Sequence, residues 1–336
     1  MTISELLMPK LPAGFSTRPV DPDADSPAVT ALCEAIAIGE YGVSDVNLQA
    51  VRESYNAPGF DPQTDARVVF DAQGRLIGVA EFYDNDGLHV APFVYVRVLP
   101  EYLSSGVGTG LVEWAKERGR PPAELAEPGR RVALHSSTAG VNEGMQDVFE
   151  AAGWHRERTT WEMEIELETT PSVPPVPAPL LIRAARPGSD EHAIYEAEVE
   201  AFADHYGYLP RPHDSWLQLN TRIFPYDPSL WFVADDEGQI AGISLCQLEQ
   251  LGRADSGYVG TLGVRPAWRG QGVALSLLRH SFAELFGRGK HRIALHVDSQ
   301  SLTGATRLYE RAGMHVVRES HSYELVLREG REIRPV

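Results

Sequence analysis

The sequence of 336 residues predicts an α/β (α+β) fold made of two similar domains, each a mixed sheet covered by helices. Three observations predict it. Residues 257–263 form an apolar, β-prone run that leads through a glycine-rich turn into an amphipathic segment at 275–285, which is the order strand, turn, helix. The same order of segments occurs earlier in the chain. A proline-rich stretch at residues 169–179, typical of an extended spacer, lies between the two copies.

The turn at residues 264–274 reads V-R-P-A-W-R-G-Q-G-V-A and carries the strongest functional signal. Main-chain N–H groups in such a turn converge with the free N–H groups of the first helical turn, and the helix dipole adds positive potential. Gly270 and Gly272 let a ligand approach the backbone, and Arg269 adds a fixed charge with forked donors. The sequence therefore predicts a phosphate-binding turn.

A second motif lies downstream of this turn. Residues 291–298 form a β-rich apolar run, and residues 308–314 then read L-Y-E-R-A-G-M. The order predicts a strand followed by a short helix that carries Tyr309.

Together the two motifs resemble those of the GNAT acetyltransferases. The turn pattern Arg/Gln-x-x-Gly-x-Gly/Ala is matched by Arg269, Gly272 and Ala274, and residues 308–314 are similar to the family's Leu-Tyr-Glu-x-x-Gly-Phe. The resemblance implies sheets that are mixed and mostly antiparallel, acetyl-coenzyme A as cosubstrate, and no metal. It also implies that the pyrophosphate lies on the turn and the pantetheine arm lies beside the preceding strand. The implied cofactor-binding residues are Leu262, Gly263, Val264, Arg269, Gly270, Gln271, Gly272, Val273 and Ala274.

The chain contains the pattern twice. Four pairs of segments align: residues 17–20 with 181–184, 71–78 with 235–242, 98–108 with 264–274, and 149–154 with 309–314. A repeat of this length indicates a duplicated domain rather than a solenoid unit. We therefore expect an N-terminal domain at residues 1–168, a linker at 169–180 and a C-terminal domain at 181–336. This layout resembles mycothiol synthase and related tandem GNAT proteins of actinobacteria, in which the C-terminal half acetylates a small-molecule amine.

The two halves differ at the positions that carry chemistry. Leu103 stands where the C-terminal turn has Arg269, and Phe149 stands where the second motif has Tyr309. In many GNAT enzymes that tyrosine protonates the departing thiolate, so the resemblance implies that Tyr309 is the general acid. The sequence thus predicts a catalytic C-terminal half and a degenerate N-terminal half, and it leaves open whether the N-terminal half binds coenzyme A.

The general base is less well indicated. The motif strand offers no carboxylate, and Tyr258 lies near the place where mycothiol synthase has a glutamate. Glu249, near the end of the preceding strand, is the expected base, and His296 and Asp298 on the later strand are alternatives.

The acceptor site is expected on the first helices of the C-terminal half. Glu200 and Asp204 are four residues apart and share a helix face, which with Tyr258 is expected to receive a cationic acceptor. A solvated acidic face is the alternative interpretation.

Composition narrows the class of protein. A formal net charge of −17 argues against nonspecific binding of nucleic acid or anionic membranes. It is compatible with a cationic amine substrate, but an acidic surface that serves solubility is the favoured interpretation. No run is apolar and long enough to span a bilayer, no secretory signal is evident, and Cys33 and Cys246 indicate no disulfide framework, so a cytoplasmic protein is expected. The leading hypothesis is an N-acetyltransferase acting on a small-molecule amine. The alternatives are a protein or peptide N-acetyltransferase and a non-catalytic acyl-coenzyme A sensor.

Overall fold

The computed structural model describes residues 8–44, 46–57, 59–84, 87–223, 226–301 and 303–335. Two compact units divide the chain. The N-terminal unit comprises residues 1–159 and 319–333, and the C-terminal unit comprises residues 160–318 and 334–336.

The N-terminal unit is a mixed sheet with helices. Its strands are β1 (Ser16–Pro19), β2 (Ala66–Phe70), β3 (Leu76–Tyr83), β4 (Phe93–Val98) and β5 (Val132–Ala139), followed along the sheet by the end of β12 (His315–Arg328). All neighbours pair antiparallel except β4 and β5. Its helices are α1 (Pro22–Tyr41), α2 (Leu48–Tyr55), α3 (Pro62–Asp65), α4 (Val107–Arg118), α5 (Arg120–Leu125) and α6 (Glu143–Ala151).

The C-terminal unit repeats this plan. Its sheet has the order β6 (His155–Glu166), β11 (Arg292–Asp298), β10 (Ser256–Val264), β9 (Gln239–Gln247), β8 (Trp231–Asp236) and β7 (Leu181–Ala184). Only β10 and β11 pair parallel among the pairs described. Its helices are α7 (Glu191–Phe202), α8 (His213–Gln218), α9 (Val273–Gly287) and α10 (Ala305–Arg311). The predicted fold class, with mixed and mostly antiparallel sheets, is confirmed.

The units differ from the sequence repeat in their last strands. β6 follows the N-terminal half along the chain, yet it pairs with β11, and its Met163 and Ile165 are buried in the core of the C-terminal unit. The end of β12 pairs with β5, and its Tyr323 and Leu325 are buried in the core of the N-terminal unit. Each half therefore supplies the final strand of the other unit, whereas the expected division at residues 169–180 follows the repeat alone.

Helix α9 shows how the core positions the turn. Its Leu277, Leu278, Phe282 and Leu285 are fully buried, each worth roughly 1.5–3 kcal/mol relative to exposure. These side chains fall on one face at helical spacing and pack in the core with residues of β9, β10 and β11. The apolar face thus holds the start of the helix at the end of β10.

Strand β10 is irregular where the site forms. Its pairing with β9 shifts register between Val259 and Thr261, so Gly260 lies in a bulge. Its parallel ladder with β11 runs only from Ser256 to Tyr258. Beyond Tyr258 the two strands diverge, and one edge of β10 faces an opening.

Among the described residues, every helix is too short or too polar to cross a bilayer.

Candidate active site

The glycine-rich turn forms an uncapped helix start. Gly272 precedes α9 with φ 83° and ψ 0°, and Gly270 has φ 76°, a left-handed backbone that favours glycine. Gly272 supplies no side chain to cap the helix, and the first N–H donor within the helix is Ser276, which bonds to the Gly272 carbonyl at 3.1 Å. The N–H groups of residues 273–275 thus point out of the helix start. A Cβ built on either glycine meets no atom within 4 Å, so the backbone is approachable.

A cavity of about 600 Å³ opens beside this turn. We call it the turn cavity. It is lined by the end of α7, β10, the turn, β11 and α10, and all the predicted cofactor-binding residues except Gln271 line it. The Gln271 side chain instead donates to the Ala267 carbonyl at 3.3 Å.

Arg269 anchors the turn. Its guanidinium donates to the carbonyl oxygens of Val264 at 3.1 Å and Ala201 at 2.8 Å, and it forms a two-point ion pair with Asp204. The Arg269 hydrogen bond holds the pKa of Asp204 below its usual value. Arg269 therefore ties the turn to the end of α7, a role that the sequence pattern did not reveal.

The two carboxylates expected to receive the acceptor are both engaged by arginines. Glu200 accepts from Arg265 Nε at 2.7 Å and does not line the turn cavity, whereas Asp204 lines it while paired with Arg269. Their shared face points at the turn, so in this structure they balance the positive charge of its arginines.

Tyr309 lies where the second motif predicts it. It is on α10, it lines the turn cavity, and only 7% of it is exposed. Burial raises the pKa of Tyr309 to about 12. The hydroxyl is therefore protonated at neutral pH and is available as a proton donor.

A smaller cavity of about 240 Å³ opens beside the β10 bulge. We call it the side cavity. Tyr258, Gly260 and Thr261 line it, and the next residues of the same strand, 262–264, line the turn cavity. A hydrogen bond of 2.9 Å joins the Tyr258 hydroxyl to His296 Nδ1, and His296 lines the turn cavity. This tyrosine–histidine pair connects the two cavities.

Glu198, on α7, is a functional candidate that the sequence reasoning missed. It lines the side cavity, and burial raises the pKa of its carboxyl. The sequence carries no clear signal for it, because the inward face of α7 is identified by the burial of Ile194, four residues before Glu198.

The expected base lies elsewhere. Glu249 is about half exposed and forms an ion pair of 3.0 Å with Lys290. Among the described residues it lines neither the turn cavity nor the side cavity. Of the alternatives, His296 and Asp298 both line the turn cavity.

One group of side chains in the described residues has metal-ligand composition. His135, Glu157 and Glu324 bring ligand atoms within 4.8 Å of one another in the N-terminal unit. Glu324 is also in a two-point ion pair with Arg131, which neutralises the charge a cation would need.

The comparison with known families agrees with this geometry. The model described as acetyltransferase (GNAT) family matches residues 39–154 and 192–314. The chain belongs to the GNAT family. It is therefore an N-acetyltransferase with two GNAT-like domains, and the family uses acetyl-coenzyme A as cosubstrate.

Individual relatives cover nearly the whole chain. The crystal structure of a GCN5-related N-acetyltransferase from Sphaerobacter thermophilus is 32% identical, has a TM-score of 0.80, and covers 96% of this chain and 99% of its own. A mycothiol acetyltransferase of Thermobispora bispora is 28% identical over 298 residues, 86% of this chain and 92% of that protein. A tandem GNAT protein from the clavulanic acid biosynthesis pathway shares the fold, with a TM-score of 0.70 at 14% identity and coverage of 94% and 100%.

Proposed function

We propose that the C-terminal unit transfers the acetyl group of acetyl-coenzyme A to the primary amine of a small molecule. The observation that carries this proposal is the adjacency of two cavities along β10. One adjoins the uncapped helix start and Tyr309, and the other adjoins Tyr258 and Glu198. The relatives named mycothiol acetyltransferase support a small-molecule acceptor.

The turn cavity fits the cosubstrate. Unbonded N–H groups at residues 273–275 and the approachable backbone at Gly270 and Gly272 suit the pyrophosphate. The edge of β10 at residues 262–264, beyond its ladder with β11, suits the amides of the pantetheine arm. The two arginines of the turn keep the local charge balanced in a strongly acidic chain, and Arg269 holds the turn in shape.

The chain's own residues then transfer the protons that the reaction requires. Acetyl-coenzyme A supplies the acetyl group as a thioester; an amide bond forms, and the carbon–sulfur bond breaks. Tyr309, protonated and buried beside the cavity, gives its proton to the leaving sulfur. His296 takes the first proton of the ammonium group by way of the Tyr258 hydroxyl, because Tyr258 lines one cavity and its hydrogen-bonded partner His296 lines the other. The second proton, which the nitrogen loses as the amide forms, restores the Tyr309 hydroxyl.

The volume of the side cavity supports a small acceptor. About 240 Å³ is the size of a metabolite of roughly a dozen heavy atoms. The purified chain with acetyl-coenzyme A should release thiol and form amide with a pool of small primary amines. A pool of peptides with free amino termini and lysines should give only the background rate. Acetylation of the peptide pool alone would overturn the small-molecule assignment.

A further inference from the structure

We propose that Glu198 is the residue that binds the acceptor's ammonium group, and that the side cavity is the acceptor site. This inference rests on the proposed function for its meaning, but it makes a separate claim about one side chain. It replaces the expectation that Glu200 and Asp204 receive the acceptor, since both are occupied by arginines of the turn.

The first argument is the state of the Glu198 carboxyl. The Oε2 of Glu198 and the indole Nε1 of Trp216 are both buried beside the cavity, and neither makes a hydrogen bond of good geometry among the described residues. The Trp216 N–H still interacts with the Glu198 carboxyl and favours its ionised form, but it leaves room for a further donor. Leaving a buried charged or polar group unpaired costs free energy, so such atoms are rare in folded proteins. An acceptor that supplies donors to the carboxylate would remove this cost.

The second argument is the chemistry of the cavity. An ammonium group carries donors and a positive charge, and a desolvated carboxylate forms strong charge-assisted hydrogen bonds with it. Asn220, Gln247 and Tyr208 also line the cavity and offer polar groups to the rest of the acceptor. Arg211 lines the cavity too, and its charge favours the ionised form of Glu198, against the effect of burial.

The third argument is position. Glu198 shares the side cavity with Tyr258, Gly260 and Thr261, and residues 262–264 of the same strand line the turn cavity. Consecutive residues of a strand advance by roughly 3.3 Å. An amine held in the side cavity is therefore close to the strand edge proposed for the pantetheine arm, and next to the Tyr258–His296 pair that receives its proton.

The fourth argument is the pattern of helix α7. Glu196 and Glu200 on the same helix have other neighbours: Glu196 is exposed and lies 3.4 Å from His192 Nε2, and Glu200 forms an ion pair with Arg265. Glu198 falls on the face of the buried Ile194 and Ala201. A carboxyl on this inward face, beside a cavity, suits a cationic ligand.

The test measures binding of amine probes by calorimetry, with and without coenzyme A, in the full chain. Glucosamine and ethanolamine are compared with their uncharged counterparts glucose and ethylene glycol. Wild-type protein should bind at least one amine more tightly than its counterpart. Glu198→Gln keeps the shape of the side chain and removes its charge, and should weaken this amine about 10- to 100-fold, as expected when a charge-assisted hydrogen bond is lost.

Glu196→Gln is the matched control, because Glu196 is an exposed glutamate on the same helix outside the cavity. It should bind the probes as wild type does. Acetyl-coenzyme A affinity should be unchanged in both variants, which separates this proposal from the proposed function: failure of acetyl-coenzyme A to bind would overturn the latter alone. Equal amine affinity in wild type and Glu198→Gln, or no preference for either amine over its counterpart, would overturn the role of Glu198.

Discussion

In both units the glycine-rich turn ends at a glycine that begins a helix. Gly106 precedes α4 with φ 85° and ψ 0°, and Gly272 precedes α9 with φ 83° and ψ 0°. The surroundings differ. A Cβ on Gly272 meets nothing within 4 Å, whereas one on Gly106 lies 3.2 Å from Pro12, and one on Gly110 would lie 2.7 Å from the Lys10 carbonyl oxygen. Residues 10–12 therefore lie over the helix start of the N-terminal unit.

Side chains also fill the positions of the N-terminal unit that correspond to the turn cavity. Leu103, which stands in place of Arg269, packs against Gly144, whereas the corresponding Gly304 has nothing within 4 Å of its Cβ position and lines the turn cavity. Phe149 is fully buried and stacks on Tyr323 at 5.1 Å. The comparison teaches that the same backbone turn can be left open in one unit, where we propose that it binds the pyrophosphate, and covered by side chains in the other.

The motif strands differ as well. β10 carries the bulge at Gly260, whereas β4 pairs with β3 without a shift from Gly78–Val98 to Tyr83–Phe93. The bulge residue Gly260 lines the side cavity, and residues 262–264 of the same strand line the turn cavity. We therefore expect the N-terminal unit to act as scaffold, without acetyl-coenzyme A bound to its turn.

The largest expected effect comes from an aspartate at the start of each helix. Gly272→Asp should make acetyl-coenzyme A binding undetectable, because it places negative charge where the pyrophosphate is proposed to lie. Gly106→Asp suffers the same left-handed strain, on the order of 1–2 kcal/mol, and should bind normally once folded. Calorimetry measures acetyl-coenzyme A binding by the two variants, and thermal melting shows whether each is folded. Equal loss of binding in two folded variants would erase the proposed difference between the units.

Removal of the Tyr309 hydroxyl should give the next largest effect. Tyr309→Phe should lower turnover by about 10²–10⁴-fold, as expected for one general acid, with acetyl-coenzyme A affinity nearly unchanged because the ring is kept. Tyr323→Phe is the matched control, a buried tyrosine of the N-terminal unit whose hydroxyl donates to Glu150. Steady-state kinetics should show full turnover in the control. Full turnover in Tyr309→Phe would refute the general-acid role.

A change at Asp204 would show whether Arg269 fixes the turn to α7 or binds the phosphates directly. If Arg269 anchors the turn, Asp204→Asn should weaken acetyl-coenzyme A binding about tenfold, because the loss of roughly 1–2 kcal/mol loosens the turn. Arg269→Leu, which copies Leu103 of the N-terminal unit, should weaken binding by a similar factor. Tighter binding in Asp204→Asn would instead mean that Arg269 acts directly on the phosphates.

Deletion of residues 1–12 should have the smallest effect on function. It removes the packing of Leu11 and Pro12 over α4 and should lower the melting temperature. The number of acetyl-coenzyme A sites per chain should stay at one, because Leu103 still fills the space beside Gly144. Appearance of a second site in a titration would show that the N-terminal segment alone blocks an otherwise competent turn.

The sequence predicted the features that depend on residues adjacent in the chain. Glycines at Gly270 and Gly272, the strand before them and the amphipathic helix after them were sufficient to place the turn. The exchange of β6 and β12 was not predictable, because both final strands alternate in the same way and neither pattern identifies its partner sheet.

The features that the sequence did not reveal depend on long-range contacts. Arg269 meets Asp204 across 65 residues of chain, and Lys10 and Gly110 are still farther apart in sequence. Glu198 was overlooked because two neighbouring glutamates made the helix resemble a solvated acidic face. Only the burial of Ile194 and Ala201 shows that Glu198 faces inward.

The central claim is that the C-terminal turn alone holds the cosubstrate. A crystal structure of the chain with acetyl-coenzyme A tests it most directly. We predict electron density for one ligand per chain, with its pyrophosphate on the main-chain N–H groups of residues 270–275 and its thioester near Tyr309. Density for the ligand on the turn at Gly106, with the C-terminal turn empty, would contradict the account.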